Sequence, residues 1–250
     1  MPRHVELLKR FLAQPQDVDV AGCGYPFVTI SRETGAGGHT LGREIIRHLD
    51  ARPDRGWNRD WDLFDQKLCA YLAQDPATQA SFDALMKEEY ARGVQQSVFE
   101  MFTGQAETYR IQKRVAEVIR FLAYLGKVVI IGRAGMCIAR DLPMGVHVRL
   151  VASEARRVEV MAEEMKADAA AALRTVRKQD GDRARLLRDV YRANIASPLL
   201  YDVVLNTERQ SLAAMASAIE ALLRARWAGR PRRQASPFGE EPDELRLDAR

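Results

Sequence analysis

A chain of 250 residues, 47% hydrophobic and 29% charged, has ordinary globular composition and is long enough for one sizeable core or at most two small domains. Its 38 basic and 34 acidic residues leave a formal charge of +4, which does not demand a polyanion-coating protein, so only local clusters of charge are informative. Cys23, Cys69 and Cys137 lie far apart without metal-ligand spacing, which suits a reduced cytoplasmic compartment better than a disulfide framework. The amino terminus, MPRHVELLKRFLAQ, carries charges throughout, and no later run approaches a membrane span, so the expectation is a soluble protein.

In chain order, Val5, Leu7, Leu8, Phe11 and Leu12 predict a short amphipathic helix within an N-terminal extension, residues 1–24. The next stretch, FVTISRETGAGGHTLGREIIRHL, reads as strand, glycine-rich turn and helix. Phe27, Val28, Thr29 and Ile30 form a short apolar, β-rich run. His39 or Thr40 is expected to open the helix, whose inner face would carry Leu41, Ile45, Ile46 and Leu49. Residues 51–62 are polar and contain tryptophans, and LFDQKLCAYLAQ then predicts a helix from Leu63 with Asp62 or Asp65 as its cap. Residues 81–109 are ambiguous, with Phe82, Tyr90, Phe99 and Phe102 expected to serve as core packing.

Residues 111–125 predict a helix ended by Gly126, and VVII, from Val128, a central parallel strand with Arg133 just past its carboxyl end, where open α/β sheets bind ligands. Further strands are expected at residues 146–151 and 202–205, and helices after Ser153 and over 212–227. The basic run between residues 174 and 192 reads, on composition alone, as a solvated helical face. Residues 229–250 are proline-rich and charged, which predicts a disordered tail.

The glycine-rich turn carries the chemistry. Gly35, Gly37 and Gly38 permit backbone angles and close approaches that side chains block, and the unpaired amides of a helix's first turn point at an anion. The pattern G-x-x-x-x-G-K-[ST] is incomplete here: Arg32 falls on its first glycine, Gly37 on its second, and Gly38 where the lysine should stand. The competing reading is a tight strand-to-helix turn with no ligand. Arg32 is a better replacement for the lysine charge than Arg43, which lies one turn into the helix and should face sideways.

Five segments in order, VTISRETGAGGHTLG, VVIIGRAG, VHVRLVASEARR, RKQDGDRAR and YDVVLNT, resemble the cytidylate-kinase-like proteins, relatives of the nucleoside monophosphate kinases, over roughly residues 27–227. The resemblance implies an α/β P-loop kinase-like fold, a parallel sheet flanked by helices with a helical lid at about 153–195 in a domain spanning 25–228. It also implies phosphoryl transfer from ATP with Mg²⁺ to a nucleoside monophosphate or related small acceptor. By the same resemblance Gly35, Ala36, Gly37, Gly38, His39 and Thr40 form the phosphate loop, with Thr40 toward the metal. Arg133 holds the acceptor phosphate, Arg156 is the first lid arginine, and Asp180, Arg183 and Arg185 lie on the lid's far side. Arg32, Arg133, Arg156 and Arg183 are the expected catalytic cations, since such transfers depend on positioning and neutralising phosphates.

Two departures stand out. The cytidylate kinases carry an aspartate after the arginine matched by Arg133, where this chain has Ala134, and a lysine where it has Gly38. SRETGAGG resembles instead the S-R-x-x-G-x-G-G loop of the family's divergent branch. The alternative to a kinase is a nucleotide-binding sensor or scaffold with little catalysis. RNA binding has little support, because no aromatic residues interleave with the arginines of the 174–192 run. Neither the acceptor nor the oligomeric state is legible in the sequence.

Overall fold

The computed structural model describes residues 24–52, 56–65 and 106–230. The predicted N-terminal helix, Cys23, the predicted helix beyond residue 65 with Cys69, the aromatic residues Phe82, Tyr90, Phe99 and Phe102, and the tail beyond residue 230 lie outside the described residues.

The chain alternates strand and helix. Strand β1 (Phe27–Arg32) buries its first five residues and passes through the glycine-rich turn into helix α1 (Gly38–Asp50). The helix opens at Gly38, before the expected His39 or Thr40. Gly37, at φ 77°, is its N-cap, and this left-handed conformation, cheap only for glycine, turns the chain into the helix without a polar side-chain cap. Leu41, Ile45 and Leu49 are essentially fully buried, each contributing about 1.5–3 kcal/mol relative to exposure. Between them Gly42 brings the helix close to the sheet: a Cβ there would stand 2.5 Å from Leu63 Cδ1 and 3.2 Å from Ile131 Cδ1.

Strand β2 (Asp62–Phe64) follows and corrects the expectation of a helix from Leu63. Phe64 is fully buried, and the strand pairs in parallel with β3, Leu63 opposite Val129. Cross-strand hydrogen bonding and burial decide these three residues, against the helical periodicity of the sequence that follows. Trp57 and Trp61, in the stretch expected to be polar, are buried and meet edge to face with ring centroids 6.4 Å apart.

Helix α2 (Ala106–Leu125) begins five residues before the expected start and ends at Gly126, which takes φ 74°. Then come β3 (Val128–Ile131), the short helix α3 (Gly135–Ile138) and β4 (Gly145–Val151). A helix pair follows, α4 (Glu154–Met165), capped by Ser153 Oγ accepting from Arg156 N at 3.3 Å, and α5 (Ala169–Tyr191), capped by Asp168. Strand β5 (Val203–Asn206) and helix α6 (Leu212–Ala228) complete the described chain.

All the strands run parallel in the order β2-β3-β1-β4-β5. One face packs Val28, Ile30, Val129, Ile131, Val146, Val148 and Leu150 against α1 and α6; the other packs Phe27, Phe64, Val128 and Ile130 against α2. This is the three-layer solution for a parallel sheet apolar on both faces. The chain leaves β1 toward β2 on one side, whereas β4 flanks β1 on the other. That reversal opens a crevice at the carboxyl end of β1, the place where such sheets bind ligands. Among the described residues no helix is long and apolar enough to cross a membrane.

Candidate phosphate site

At the carboxyl end of β1 the glycines are needed for different reasons. Gly35 takes φ 82°, and a Cβ on it would stand 2.6 Å from the carbonyl oxygen of Arg157, so the loop lies directly against the start of α4. Gly37, also left-handed, faces open space, with nothing within 4 Å of where its Cβ would be. A concave turn that is open at Gly37 and followed by a helix of thirteen residues fits a phosphate group at the helix N-terminus.

Gly38, the residue in the lysine position, is occupied from the side. A Cβ there would meet Arg32 Cγ at 3.2 Å and Cδ at 3.3 Å, and any side chain on Gly132, just past β3, would overlap Arg32 Nη1. The Arg32 side chain therefore crosses the loop over Gly38 and ends against the turn after β3. Both glycines leave room for it.

Arg133 follows in that turn. Gly132, Arg133 and Ala134 all have positive φ, at 78°, 53° and 56°. Two consecutive non-glycine residues in this region cost of order 1 kcal/mol or more each, a strain that concentrates at functional sites.

The helix pair supplies the rest. Asp180 Oδ1 accepts from the Thr34 amide and hydroxyl, both at 2.8 Å; Arg183 Nη1 donates to Thr34 Oγ1 at 2.6 Å and to Asp180 Oδ1 at 3.0 Å. Arg157, 8% exposed, donates to Asp180 Oδ2 at 2.6 Å and to the Thr34 carbonyl at 3.3 Å, and lies 3.3 Å from Glu33. Arg149, inside β4 and 7% exposed, donates to Ser31 Oγ at 2.8 Å. His39 Nε2 stands 3.4 Å from Asp65 Oδ2, just past β2.

These cations influence one another. Burial pushes the Arg32 guanidinium down to about 10; Arg183, Arg133 and Arg149 push the same way, and Asp65 opposes them. Burial also lowers Arg183, against the pull of Asp180 and with a further push from Arg149 and Arg157. Tyr191 is pushed up to about 12 by burial and by the Cys137 thiol, partly offset by Arg133. Five arginines (32, 133, 149, 157 and 183) thus share a crevice edge with three carboxylates (Glu33, Asp65 and Asp180), a balance that an arriving polyanion would restore.

The structure brings together Arg32, Gly35, Ala36, Gly37, Gly38, His39, Arg133, Asp180 and Arg183 of the residues expected from the sequence. Thr40 lies exposed on the first turn of α1. Two are not brought in: Arg156 pairs with Glu159 at 3.0 Å on the exposed face of α4, and Arg185 lies 3.6 Å from Asp182 on the exposed face of α5. Sequence reasoning missed Arg149 and Arg157 and took Asp65 only as a helix cap. A charge inside the apolar run VHVRLV was the available signal for Arg149. Nothing local separates Arg157 from Arg156; only the docked face of α4 does.

The sheet order, the glycine-rich turn after β1 and the arginine-bearing helix pair define a P-loop kinase-like fold. The sequence pattern of the cytidylate kinase-like family matches residues 27–209, and the chain belongs to that family. Among solved structures, an uncharacterized protein from Eubacterium ventriosum is similar at a TM-score of 0.58 and 17% identity, over 80% of this chain and 99% of that one. The shikimate kinase of Bacteroides thetaiotaomicron gives 0.42 at 15% identity, over 80% and 98%. No curated protein matches the chain.

Proposed function

We propose that this is a cytoplasmic phosphotransferase that moves a phosphoryl group from ATP, with Mg²⁺, to a nucleoside monophosphate or a related small anionic acceptor. One observation carries the reading: Arg32 crosses the lysine position over Gly38 and ends at the turn that presents Arg133. A cation there stabilises charge where it develops on the transferred group. Bound ATP would supply the phosphoryl group, and Mg²⁺ would neutralise part of its charge, with Thr40 the residue of the loop nearest in sequence to such a role.

The chain's own residues have separable tasks. Gly37 and the first amides of α1 hold donor phosphates. Arg133 holds the acceptor's anionic group, and its strained backbone fixes where that guanidinium sits. Asp180 orients Arg183 and Arg157 and ties the helix pair to Thr34, so the lid cations reach the loop as one hydrogen-bonded unit. Arg156 and Arg185, exposed and paired elsewhere, have no contact with this unit, and Arg157 takes the lid role the sequence suggested for Arg156.

A second reading, a nucleotide sensor with little catalysis, is favoured by one feature, the missing lysine at Gly38. A panel of nucleoside monophosphates, incubated with ATP and Mg²⁺ and assayed for diphosphate, separates the two. Diphosphate from at least one acceptor is the expected result. Thermal stabilisation by ATP without transfer to any acceptor would establish the sensor, because stabilisation requires only preferential binding to the folded state.

A further inference from the structure

Among the buried Arg and Glu residues of the described chain, Arg149 is set apart by lying in the body of a strand. It pairs in register with Ser31 of β1 and is 7% exposed. Its neighbours along β4 on the opposite face, Val148 and Leu150, are fully buried in the core under α1 and α6. An aliphatic residue would pack at this position without desolvating a charge, and exchanging buried ionic groups for apolar ones is often neutral or stabilising.

The guanidinium is instead held in place. Nη1 donates to Ser31 Oγ at 2.8 Å, and Nη2 lies 3.9 Å from Glu33 Oε1. The Tyr201 hydroxyl approaches Ser31 Oγ at 3.3 Å and the Ile195 carbonyl at 2.9 Å, closing the pocket from the segment after α5. Its anchors are consecutive with the phosphate loop: Ser31 precedes Arg32, and Glu33 precedes Thr34.

We propose that Arg149 is a positioning residue for anion binding, a fixed buried cation behind the loop that raises the potential at Arg32 and Arg183 and so strengthens their hold on a polyphosphate. It acts through those two side chains. Burial is the main cause that lowers the pKa of both, and like charge at Arg149 adds to it, so the ligand-free site carries mutual repulsion among its arginines, which a polyanion relieves on binding. This rests on the reading of the loop as a phosphate site.

Inorganic tripolyphosphate titrated calorimetrically into the full chain, at low and at high salt, tests both. The wild type should bind, more weakly as salt rises. Arg149→Met, which keeps much of the side-chain length and loses the charge, should bind about tenfold more weakly at low salt and with a shallower salt dependence. Arg149→Lys, which keeps the charge, and Ser31→Ala, which removes an anchor, should both retain the wild-type salt dependence.

Equal affinity and salt dependence in Arg149→Met and wild type would overturn the proposal and leave Arg149 a packing residue, with the phosphate-site reading intact. No tripolyphosphate binding by the wild type would overturn both. If Arg149→Met does not fold, Arg149→Gln takes its place: binding weakened with a shallower salt dependence sustains the proposal, and wild-type binding and salt dependence overturn it.

Discussion

Two buried ionic clusters in this molecule differ in which sign of charge they bury. Between α1 and α6, Glu220 is 3% exposed and accepts from Arg52 at 2.6 Å, Arg224 at 2.8 Å and His48 at 2.7 Å, while Arg52 and Arg224 remain nearly half exposed. At the carboxyl end of β1 the arrangement is inverted: Arg149 and Arg157 are buried, Arg32 and Arg183 are depressed by burial, and the carboxylates among them are more accessible. A cluster that joins helices can bury its acid and leave its cations in water. One that buries cations in excess of acids has the charge of a site for an anion.

The largest expected effect is at the contact joining the loop to α4. Gly35→Ala forces a non-glycine residue to φ 82° and puts its Cβ 2.6 Å from a backbone oxygen, so it should cost at least about 2 kcal/mol and lower Tm in a thermal melt. An unchanged Tm would mean the loop is not pressed on the helix.

Next is Arg133→Ala, which should raise the acceptor KM about tenfold, roughly 1.4 kcal/mol, with Tm nearly unchanged, since alanine bears the same left-handed strain as arginine at this position. An unaltered KM would return Arg133 to a structural role.

Glu220 anchors the cluster between α1 and α6. Burial, the largest single influence, raises its pKa, but hydrogen bonds from Arg52, His48 and Arg224 together hold it below the ordinary 4.5. A carboxyl group depressed in the folded state contributes stability above its unfolded pKa and loses it as pH falls through the folded value. Stability followed by denaturant titration should therefore decline below about pH 4.5 in the wild type. Glu220→Gln should be less stable by about 1–2 kcal/mol at neutral pH and show a weaker decline in acid. A variant with the same acid profile as the wild type would show that Glu220 does not govern the loss of stability in acid.

Arg156→Ala, outside both clusters, gives the smallest effect, with turnover and Tm both unchanged. Reduced turnover would give Arg156 the lid role proposed above for Arg157.

Legibility in the sequence followed the physics of each element. Strands β1, β3 and β4 are apolar runs buried on both faces, so they could be read directly; β5, expected one residue early, was nearly so. Strand β2 is only Asp62, Leu63 and Phe64 beside helix-like sequence, and its identity lies in pairing with β3, which no local pattern records. That Arg32, Arg133 and Arg183 come together could be read because each sits at a fixed offset from a recognisable segment. Choosing Arg157 over Arg156 requires knowing which face of α4 docks on Thr34, a tertiary fact. The helix start at Gly38 was missed because a left-handed glycine replaces the polar cap that the sequence rules look for.

The loop carries its cation at the end of β1, where Arg32 reaches over Gly38, and not on the helix. Turnover of Arg32→Ala and of the double variant Arg32→Ala/Gly38→Lys, measured with ATP, Mg²⁺ and an active acceptor, tests this directly. The double variant is used because the Arg32 stem fills the space a lysine would need. The expected result is a loss of an order of magnitude or more in the single variant, about 1.4 kcal/mol of barrier per factor of ten, and partial recovery in the double. Turnover indifferent to Arg32→Ala would contradict it.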